Sequence, residues 1–278
     1  MKMSAAVVRV IPNSKLFVSE PNPIWFGNGP NPKNDPSWTN ENWLKSRFHF
    51  SFAEYRNFKN LDYGVLRVCN DDLVQPHRGF GEHPHSNAEI ITYVVEGNLT
   101  HQDTMGNKES LGRGSIQFMT AGSGIRHSEF NEGDKPLRFI QTWIKPAEYN
   151  LEPKYGSYRG DAELRKNKLQ HLVSDCRDTY TKTPVAVTQD VNAFASELEQ
   201  GHIVTHDLPA DRQAYLLCIE GGVTVNGKSL QRHDACEITG GGPVEIVATD
   251  TEKTETGNMA HVLMFTMAKE SGSGRRDF

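Results

Sequence analysis

The sequence lacks the cysteine arrangements of a metal-thiolate or disulfide-bonded protein. Its 278 residues include only four cysteines, Cys69, Cys176, Cys218 and Cys236, and none of them forms a CxxC pair. This usage argues against zinc-finger, thioredoxin-type and disulfide-scaffold proteins. We expect four reduced thiols.

Long apolar runs and a strong charge of one sign are also missing. No stretch approaches the roughly 20 consecutive apolar residues of a membrane-spanning helix. The run from Ala5 to Val8 is interrupted by Arg9 and is too short for a secretory signal. A formal net charge of −5 offers no broad basic face for nucleic-acid phosphates. We therefore expect a soluble cytoplasmic protein, or also a nuclear one in a eukaryote, with no direct nucleic-acid or membrane partner.

What the sequence does contain is many short β-branched and aromatic runs separated by Gly, Asn and Asp turns, a pattern typical of antiparallel sheets. The first such region extends from Phe48 to Ile144, and the second from Val185 to Met267. Strands predicted in the first region are Gly64 to Val68, Ala88 to Glu96, Leu99 to Asp103, Ser115 to Thr120, Ile125 to Phe130 and Leu137 to Ile144.

This organisation predicts an all-β protein of two small antiparallel β-barrels with few short helices. The segment from Ser19 to Asn42 is crowded with Pro, Asn and Gly, which indicates an irregular loop. Helical turns are expected only between Asp161 and Val173. The predicted division is an N-terminal extension and loop over residues 1–42, a first barrel over 43–150, a connector over 151–182, a second barrel over 183–270 and a disordered tail over 271–278.

Two histidines in the first region have the spacing of a shared ligand site. His83 and His85 flank Pro84, which disfavours helical backbone at the preceding residue. In an extended strand alternate side chains point to the same face, so both imidazoles can aim at one point. Continued through Glu89, the same alternation would place Ile91, Tyr93 and Val95 on that face.

A second pair with the same spacing, His127 and Glu129, follows the glycine turn at Gly122 and Gly124. Three imidazoles and one carboxylate, without thiolate, favour one divalent transition metal, above all Fe(II), with Mn, Co, Ni, Cu or Zn as competitors. The pair His101 and Asp103 also alternates, and spacing alone leaves it open as a ligand pair.

The same residues resemble the cupin superfamily and, more closely, its pirin family, including bacterial pirin-like quercetin 2,3-dioxygenases. The first cupin motif is His83-x-His85 followed by Glu89 and Gly97. The second is Gly114, Gly124, His127 and Asn131. Further matching segments run from about Trp43 to Trp143 and include Thr92-Tyr-Val-Val-Glu-Gly97 and Met119-Thr-Ala-Gly-x-Gly-Ile-Arg-His-Ser-Glu129.

The resemblance implies a bicupin of the double-stranded β-helix, or jelly-roll, type. It implies that His83, His85, His127 and Glu129 bind the metal, and that Glu89 lies near it without binding. His101 and Asp103 would then belong to the strand framework. The second barrel has no HxH or HxE pair, so we expect no equivalent metal there.

By the same resemblance the expected activity is flavonol 2,3-dioxygenation, in which a planar phenolic substrate such as quercetin reacts with O₂ and releases CO. Glu129 would accept the proton of the flavonol 3-hydroxyl. Eukaryotic pirins suggest a non-catalytic alternative, an iron-dependent redox-sensing transcriptional cofactor that contacts a protein partner. Glu89, Thr120, Gln141 or backbone carbonyls are candidate partners that fix the tautomers of the imidazole ligands. Candidate pocket residues are Phe80, Tyr93, Phe118, Met119, Phe130 and Arg126.

Overall fold

The structure is a computed structural model that describes residues 6–29 and 43–269, and within these residues β-strand is the predominant regular structure. The expected disordered tail over 271–278 and part of the Pro/Asn-rich segment lie outside the described residues. In chain order the strands are β1 Val7–Ile11, β2 Phe17–Ser19, β3 Leu44–Phe48, β4 Leu66–Val74, β5 Arg78–His85, β6 Glu89–Glu96, β7 Leu99–Asp103, β8 Lys108–Leu111, β9 Ile116–Thr120, β10 Ile125–Asn131, β11 Leu137–Ile144, β12 Lys154–Tyr158, β13 Gln170–Asp175, β14 Val185–Val187, β15 Val191–Leu198, β16 Ile203–Leu208, β17 Arg212–Glu220, β18 Gly222–Val225, β19 Lys228–Gln231, β20 Ala235–Thr239, β21 Gly242–Asp250, β22 Glu252–Thr254 and β23 Gly257–Ala268.

The few helices are short. One four-residue α-helix, α1, covers Ala162–Arg165, and 3₁₀ turns cover Asn13–Lys15 and Pro23–Phe26. Asp161 caps α1 by accepting a hydrogen bond from the backbone N–H of Glu163. Among the described residues no helix is long and apolar enough to cross a membrane.

The chain divides into two compact units. The N-terminal unit comprises Phe17–Asp62 and Leu66–Gly160, and the C-terminal unit comprises Tyr63–Val65, residues from Asp161 onward and the stretch up to Leu16. The strand β1 therefore belongs to the C-terminal unit, where it pairs with β20. In the region expected as a connector, β12 pairs with β9 of the N-terminal unit, and β13 pairs with β15 of the C-terminal unit.

The N-terminal unit consists of two sheets, one of seven strands in the order β12-β9-β6-β11-β4-β3-β2 and one of four in the order β5-β10-β7-β8. The two sheets share a core in which Val94 and Phe139 from the larger sheet pack with Leu99 and Leu111 from the smaller one. A separate, smaller hydrophobic cluster in this unit includes Ile90, Met119 and Ile125. The apolar alternation of the strands thus fills the space between the sheets, and the metal-ligand candidates lie on the smaller sheet.

The C-terminal unit repeats this arrangement with a sheet of eight strands and a sheet of four in the order β16-β21-β18-β19. Its core joins Leu216, Val262 and Met264 of the larger sheet to Val223 and Ile246 of the smaller one. A hairpin at Asn226-Gly227 connects β18 and β19, and both residues have positive φ, at 45° and 76°. Asn and Gly tolerate this conformation best, so the turn type follows from the sequence.

The predicted helical segment from Asp161 to Val173 is correct only at its start. The α-helix ends at Arg165, and β13 begins at Gln170. Asn167 has φ of 55°, a left-handed conformation that cannot continue a helix. Because Leu172 and Val173 are fully buried, pairing with β15 decides the structure of this stretch.

Gly79 allows close pairing of β5 with β10, and its replacement tests that contact. A Cβ atom at this position would lie 2.3 Å from the backbone oxygen of Glu129 and 2.6 Å from Cα of Phe130. We expect Gly79→Ala to destabilise the protein by about 1–3 kcal/mol, because backbone must move. Gly133→Ala is the control, since its Cβ would approach only the Asn131 side chain at 3.5 Å. Denaturant unfolding should separate the two variants; equal midpoints would contradict this explanation.

Candidate metal centre

Strand β10 positions the candidate ligands because it lies between β5 and β7. On one side it pairs His127 with His83, and on the other it pairs His127 with Asp103. Two residues further along, Glu129 lies opposite His101. Directly opposed residues of adjacent strands place their side chains on the same face, so this register gathers the polar groups in two neighbouring rows.

The imidazoles of His83, His85 and His127 meet at one point. Their ring centroids are 4.5 Å apart for His83 and His127 and 4.8 Å apart for each of the other two pairs. Each ring offers one nitrogen within 4.8 Å of the others. A metal binds histidine nitrogen at about 2.0–2.1 Å, so small side-chain shifts suffice for one ion to contact all three.

The hydrogen bonds of these rings leave nitrogen lone pairs for a metal. Nδ1 of His83 lies 2.7 Å from the backbone oxygen of Gly81, which can only accept, so Nδ1 carries the proton and Nε2 does not. Nε2 of His85 and Nε2 of His127 are buried and have no hydrogen-bond partner in the described part of the chain. Buried polar atoms are normally paired, so these orphaned nitrogens fit a divalent metal ion.

Burial also keeps two of the rings neutral. Desolvation, followed by the neighbouring His127 and His83, lowers the pKa of His85 to about 3. Desolvation, followed by His83 and His101, lowers the pKa of His127 to about 3. Metal binding requires an unprotonated imidazole, so no proton has to leave either ring at neutral pH.

Glu129 is held on both oxygens by uncharged donors. Its Oε1 accepts hydrogen bonds from Gln117 Nε2 at 2.9 Å and from Thr92 Oγ1 at 3.2 Å, and its Oε2 accepts from Gln141 Nε2 at 2.8 Å. These amide and hydroxyl donors orient the carboxylate, and because they are uncharged they leave its negative charge available to a cation. Gln141 was predicted as a partner of the imidazoles, and here it contacts the carboxylate. Gln117 and Thr92 were not predicted, although a Gln within the apolar strand Ile116–Thr120 is a signal of a buried polar contact.

An apolar cavity of about 340 Å³ opens beside these groups. The polar residues that line it include His83, His85, Glu129, Gln141 and Asp72, and its apolar walls are largely aromatic, formed by Trp25, Phe26, Phe48, Phe52, Phe80 and Trp143. This volume and mixture are typical of sites for small organic ligands. Of the predicted pocket residues, Phe80 lines the cavity, whereas Tyr93, Phe118, Met119 and Phe130 do not. Arg126 instead forms an exposed 2.7 Å ion pair with Glu82.

The pirin family profile matches residues 32–144, and the profile of the quercetinase C-terminal cupin domain matches residues 176–267. A pirin-like protein of Caulobacter vibrioides is 40% identical over 208 residues, which cover 75% of this chain and 89% of that protein. The chain belongs to the pirin family.

Other relatives of this pirin extend the comparison. It is 39% identical over 206 residues to a quercetin 2,3-dioxygenase of Escherichia coli K12, across 74% of this chain and 87% of that protein. The crystal structure of YhhW from Escherichia coli matches with a TM-score of 0.76 and 31% identity, covering 96% of this chain and all of that one. YhhW in complex with nickel(II) matches with a TM-score of 0.73 and 30% identity, over 94% and 99% of the two chains. The predicted bicupin fold is confirmed.

Two details of this pirin differ from the sequence-based expectations. The side chains of Glu89, Ile91 and Tyr93 share one face of β6, but it is Thr92, on the opposite face, that donates a hydrogen bond to Glu129. Between β5 and β6, Asn87 adopts φ of 51°, which interrupts the alternation continued from His85. Glu89 accepts a hydrogen bond from Thr120 at 2.7 Å, so two of the predicted ligand partners bind each other.

His101, which was expected with Asp103 to belong to the strand framework of β7, also lies close to two candidate ligands. One ligand-type atom of His101 lies within 4.8 Å of such atoms on His127 and Glu129. His101 also forms a 3.1 Å contact with Asp103. Both groups of metal-ligating atoms found in the described residues share His127 and lie in the N-terminal unit.

The cavity also contains an acid whose ionisation affects stability. Burial raises the pKa of Asp72 from 3.8 to about 8; the hydrogen bond from Ser46 opposes this rise, and the charges of Asp71 and Glu129 add to it. The unfolded chain releases this proton near pH 4 and the folded protein near pH 8. Between these values the folded state binds more protons, so the Asp72 contribution to stability falls as the pH rises.

We therefore expect the stability of Asp72→Asn relative to the wild type to increase as the pH rises from 4 to 8. The size of the pKa shift implies a change on the order of a few kcal/mol at pH 8. Urea unfolding at several pH values measures the difference. Asp134→Asn is the control, because the Asp134 side chain is 95% exposed. If the difference in the free energy of unfolding between the wild type and Asp72→Asn stays constant with pH, the raised pKa does not belong to Asp72.

Proposed function

We propose that this pirin is a metal-dependent dioxygenase that opens a flavonol such as quercetin with O₂ and releases CO. The observation that carries the proposal is the convergence of three imidazoles, two of them with orphaned Nε2 atoms, beside an aromatic cavity. The relative named quercetin 2,3-dioxygenase at 39% identity supports the choice of substrate class. Fe(II) is our first choice of metal from the mixed nitrogen and oxygen donor set.

In this proposal His83, His85, His127 and Glu129 hold the metal. When bound, the metal supplies a Lewis acid and a template for the phenolic oxygen. Aromatic side chains such as Phe80 and Trp143 pack against the flat rings of the flavonol and exclude water from the site. One O₂ is consumed for each flavonol, and both of its atoms enter the ring-opened product while one ring carbon leaves as CO.

Glu129 acts as general base and takes the proton of the flavonol 3-hydroxyl. Its carboxylate lines the cavity, within reach of a ligand placed beside His83 and His85. The amides of Gln117 and Gln141 keep it oriented toward the site. A positioned carboxylate base typically contributes a factor of about 10²–10⁴ to the rate.

The test is reconstitution of the metal-free protein with Fe(II), Mn(II), Ni(II) or Cu(II), followed by addition of quercetin under air. We expect metal-dependent loss of flavonol absorbance with CO released in equal amount. His85→Gln should lose both metal binding and turnover. His77→Gln should retain both, because the His77 side chain is exposed and pairs with Asp134 at 2.9 Å.

Metal binding without flavonol loss or CO would reject the dioxygenase and favour the non-catalytic sensor. That alternative has its own readout: a protein partner captured by the Fe(II) form and released by the Fe(III) form, or the reverse. Flavonol loss that proceeds equally without metal would reject both functions as mechanisms of this site.

A further inference from the structure

A buried carboxylate, Asp103, and a fourth imidazole, His101, lie next to His127. Asp103 ends β7, and its Oδ1 accepts hydrogen bonds from the backbone N–H groups of Met105 at 2.9 Å and Asn107 at 3.1 Å. The side-chain amide of Asn107 donates to both oxygens, at 3.1 and 2.9 Å. Burial opposes ionisation, but the hydrogen bonds from Asn107, His101 and Met105 outweigh it, and the pKa of Asp103 lies below its ordinary value. The group is an anchored anion.

His101 lies between this anion and the metal centre, and its ring is fixed. It is fully buried, and Tyr155 stacks on it with ring centroids 4.2 Å apart and planes 12° apart. Tyr155 is itself held through its hydroxyl, which donates a hydrogen bond to Glu109 Oε1 at 2.6 Å and lies 3.2 Å from Gln117 Oε1. The His101 ring therefore has little freedom to rotate.

The Asp103 carboxylate determines which atoms donate and which accept in the hydrogen bonds that link it through His101 to His127. A carboxylate can only accept, so the 3.1 Å contact between Asp103 Oδ2 and His101 Nε2 puts a proton on that nitrogen. With that proton on Nε2, Nδ1 of His101 can accept a hydrogen bond from Nδ1 of His127, 3.5 Å away. This nitrogen of His127 must donate, so it carries the proton, and Nε2 of His127 keeps its lone pair. That Nε2 is one of the orphaned buried atoms beside His83 and His85.

We propose that Asp103 and His101 are positioning residues that fix His127 in the tautomer with a free Nε2. The inference rests on the proposed role of His127 as a metal ligand. The structure disfavours His101 as a ligand itself, although it lies close to Glu129, because Asp103 engages one of its nitrogens and His127 the other. The partner of a metal-bound histidine typically contributes a factor of about 10–100 to metal affinity.

The decisive variant is Asp103→Asn. Its amide can occupy the place of Oδ2 and donate to His101 Nε2, which moves the His101 proton to Nδ1 and forces His127 into the opposite tautomer. We expect metal affinity about 10–100-fold weaker, measured by competition of Ni(II) and Co(II) with a chelator. In the metal-free protein, ¹⁵N NMR of labelled histidines at pH 7 should show the His127 proton on Nδ1 in the wild type and on Nε2 in the variant.

A matched control exists on the surface. Asp134 and His77 form a similar carboxylate–imidazole contact at 2.9 Å, but both side chains are exposed. Asp134→Asn should leave metal affinity and the His127 tautomer unchanged. If Asp103→Asn fails to fold, His101→Phe decides the question, since it keeps a ring stacked on Tyr155 and removes the acceptor for His127.

Wild-type metal affinity in a folded Asp103→Asn or His101→Phe protein would overturn the inference, as would a His127 proton on Nε2 in the wild type. Neither measurement uses a flavonol. If metal affinity and the His127 tautomer behave as expected but the wild type shows no flavonol turnover, the proposed function alone is refuted. If the wild type turns over flavonol but the His127 tautomer is unchanged in Asp103→Asn, the inference alone is refuted.

Discussion

Glu129→Gln should lower flavonol turnover by about 10²–10⁴-fold while the three imidazoles continue to bind metal. The amide has the shape of the carboxylate but cannot accept a proton at neutral pH. Its hydrogen bonds can be kept, because Gln141 can rotate its side-chain amide to present an oxygen in place of the 2.8 Å donor. The loss should therefore be in the rate rather than in folding. Steady-state turnover, divided by the metal content of each preparation, is the measurement.

The matched control is Glu82→Gln. Glu82 lies on the same strand as the histidine pair, but its side chain is 60% exposed and pairs with Arg126. It should retain wild-type turnover and metal content. Undiminished turnover in Glu129→Gln at equal metal content would exclude Glu129 as the base. A complete loss of metal would instead show that the carboxylate is needed to retain the ion, and would leave the base unidentified.

Local pattern was sufficient for much of the fold. The strands Leu99–Asp103 and Leu137–Ile144 have the predicted ends, because turn residues such as Gly97, Gly106 and Pro136 bound these short and largely buried runs. Strand β1 shows the limit. Its few apolar residues gave no sign that they would pair with β20, more than 220 residues away, because such pairing depends on the tertiary structure.

The candidate site divides in the same way. Alternation within one strand is local, so His83 with His85 and His127 with Glu129 could be paired from spacing alone. Alternation across a loop is not local. The left-handed conformation of Asn87, between β5 and β6, reverses the faces on which the β6 side chains were expected. The place of His101 depends on which residue of β7 lies opposite Glu129, a register that spacing within β7 does not fix.

The largest effect on stability should come from Arg138, whose guanidinium is buried beside a carboxylate. Its Nε and Nη2 donate to the two oxygens of Asp71, each at 2.8 Å, and the two residues are 1% and 3% exposed. Arg138→Met fills similar space but removes the two-point partner of a buried charge. We expect a loss of about 3–5 kcal/mol in the free energy of unfolding, measured from urea unfolding.

Two comparisons separate the buried charge from the lost side chain. Arg126→Met removes the arginine of an exposed pair, with side chains 48% and 60% exposed, and should cost at most about 1 kcal/mol. The double variant Arg138→Met with Asp71→Leu removes both buried charges and should recover much of the stability, since the main cost of the single variant is the carboxylate left behind. If the double variant is as unstable as Arg138→Met, the loss comes from packing of the arginine side chain, and the ion pair is not what stabilises β4 against β11.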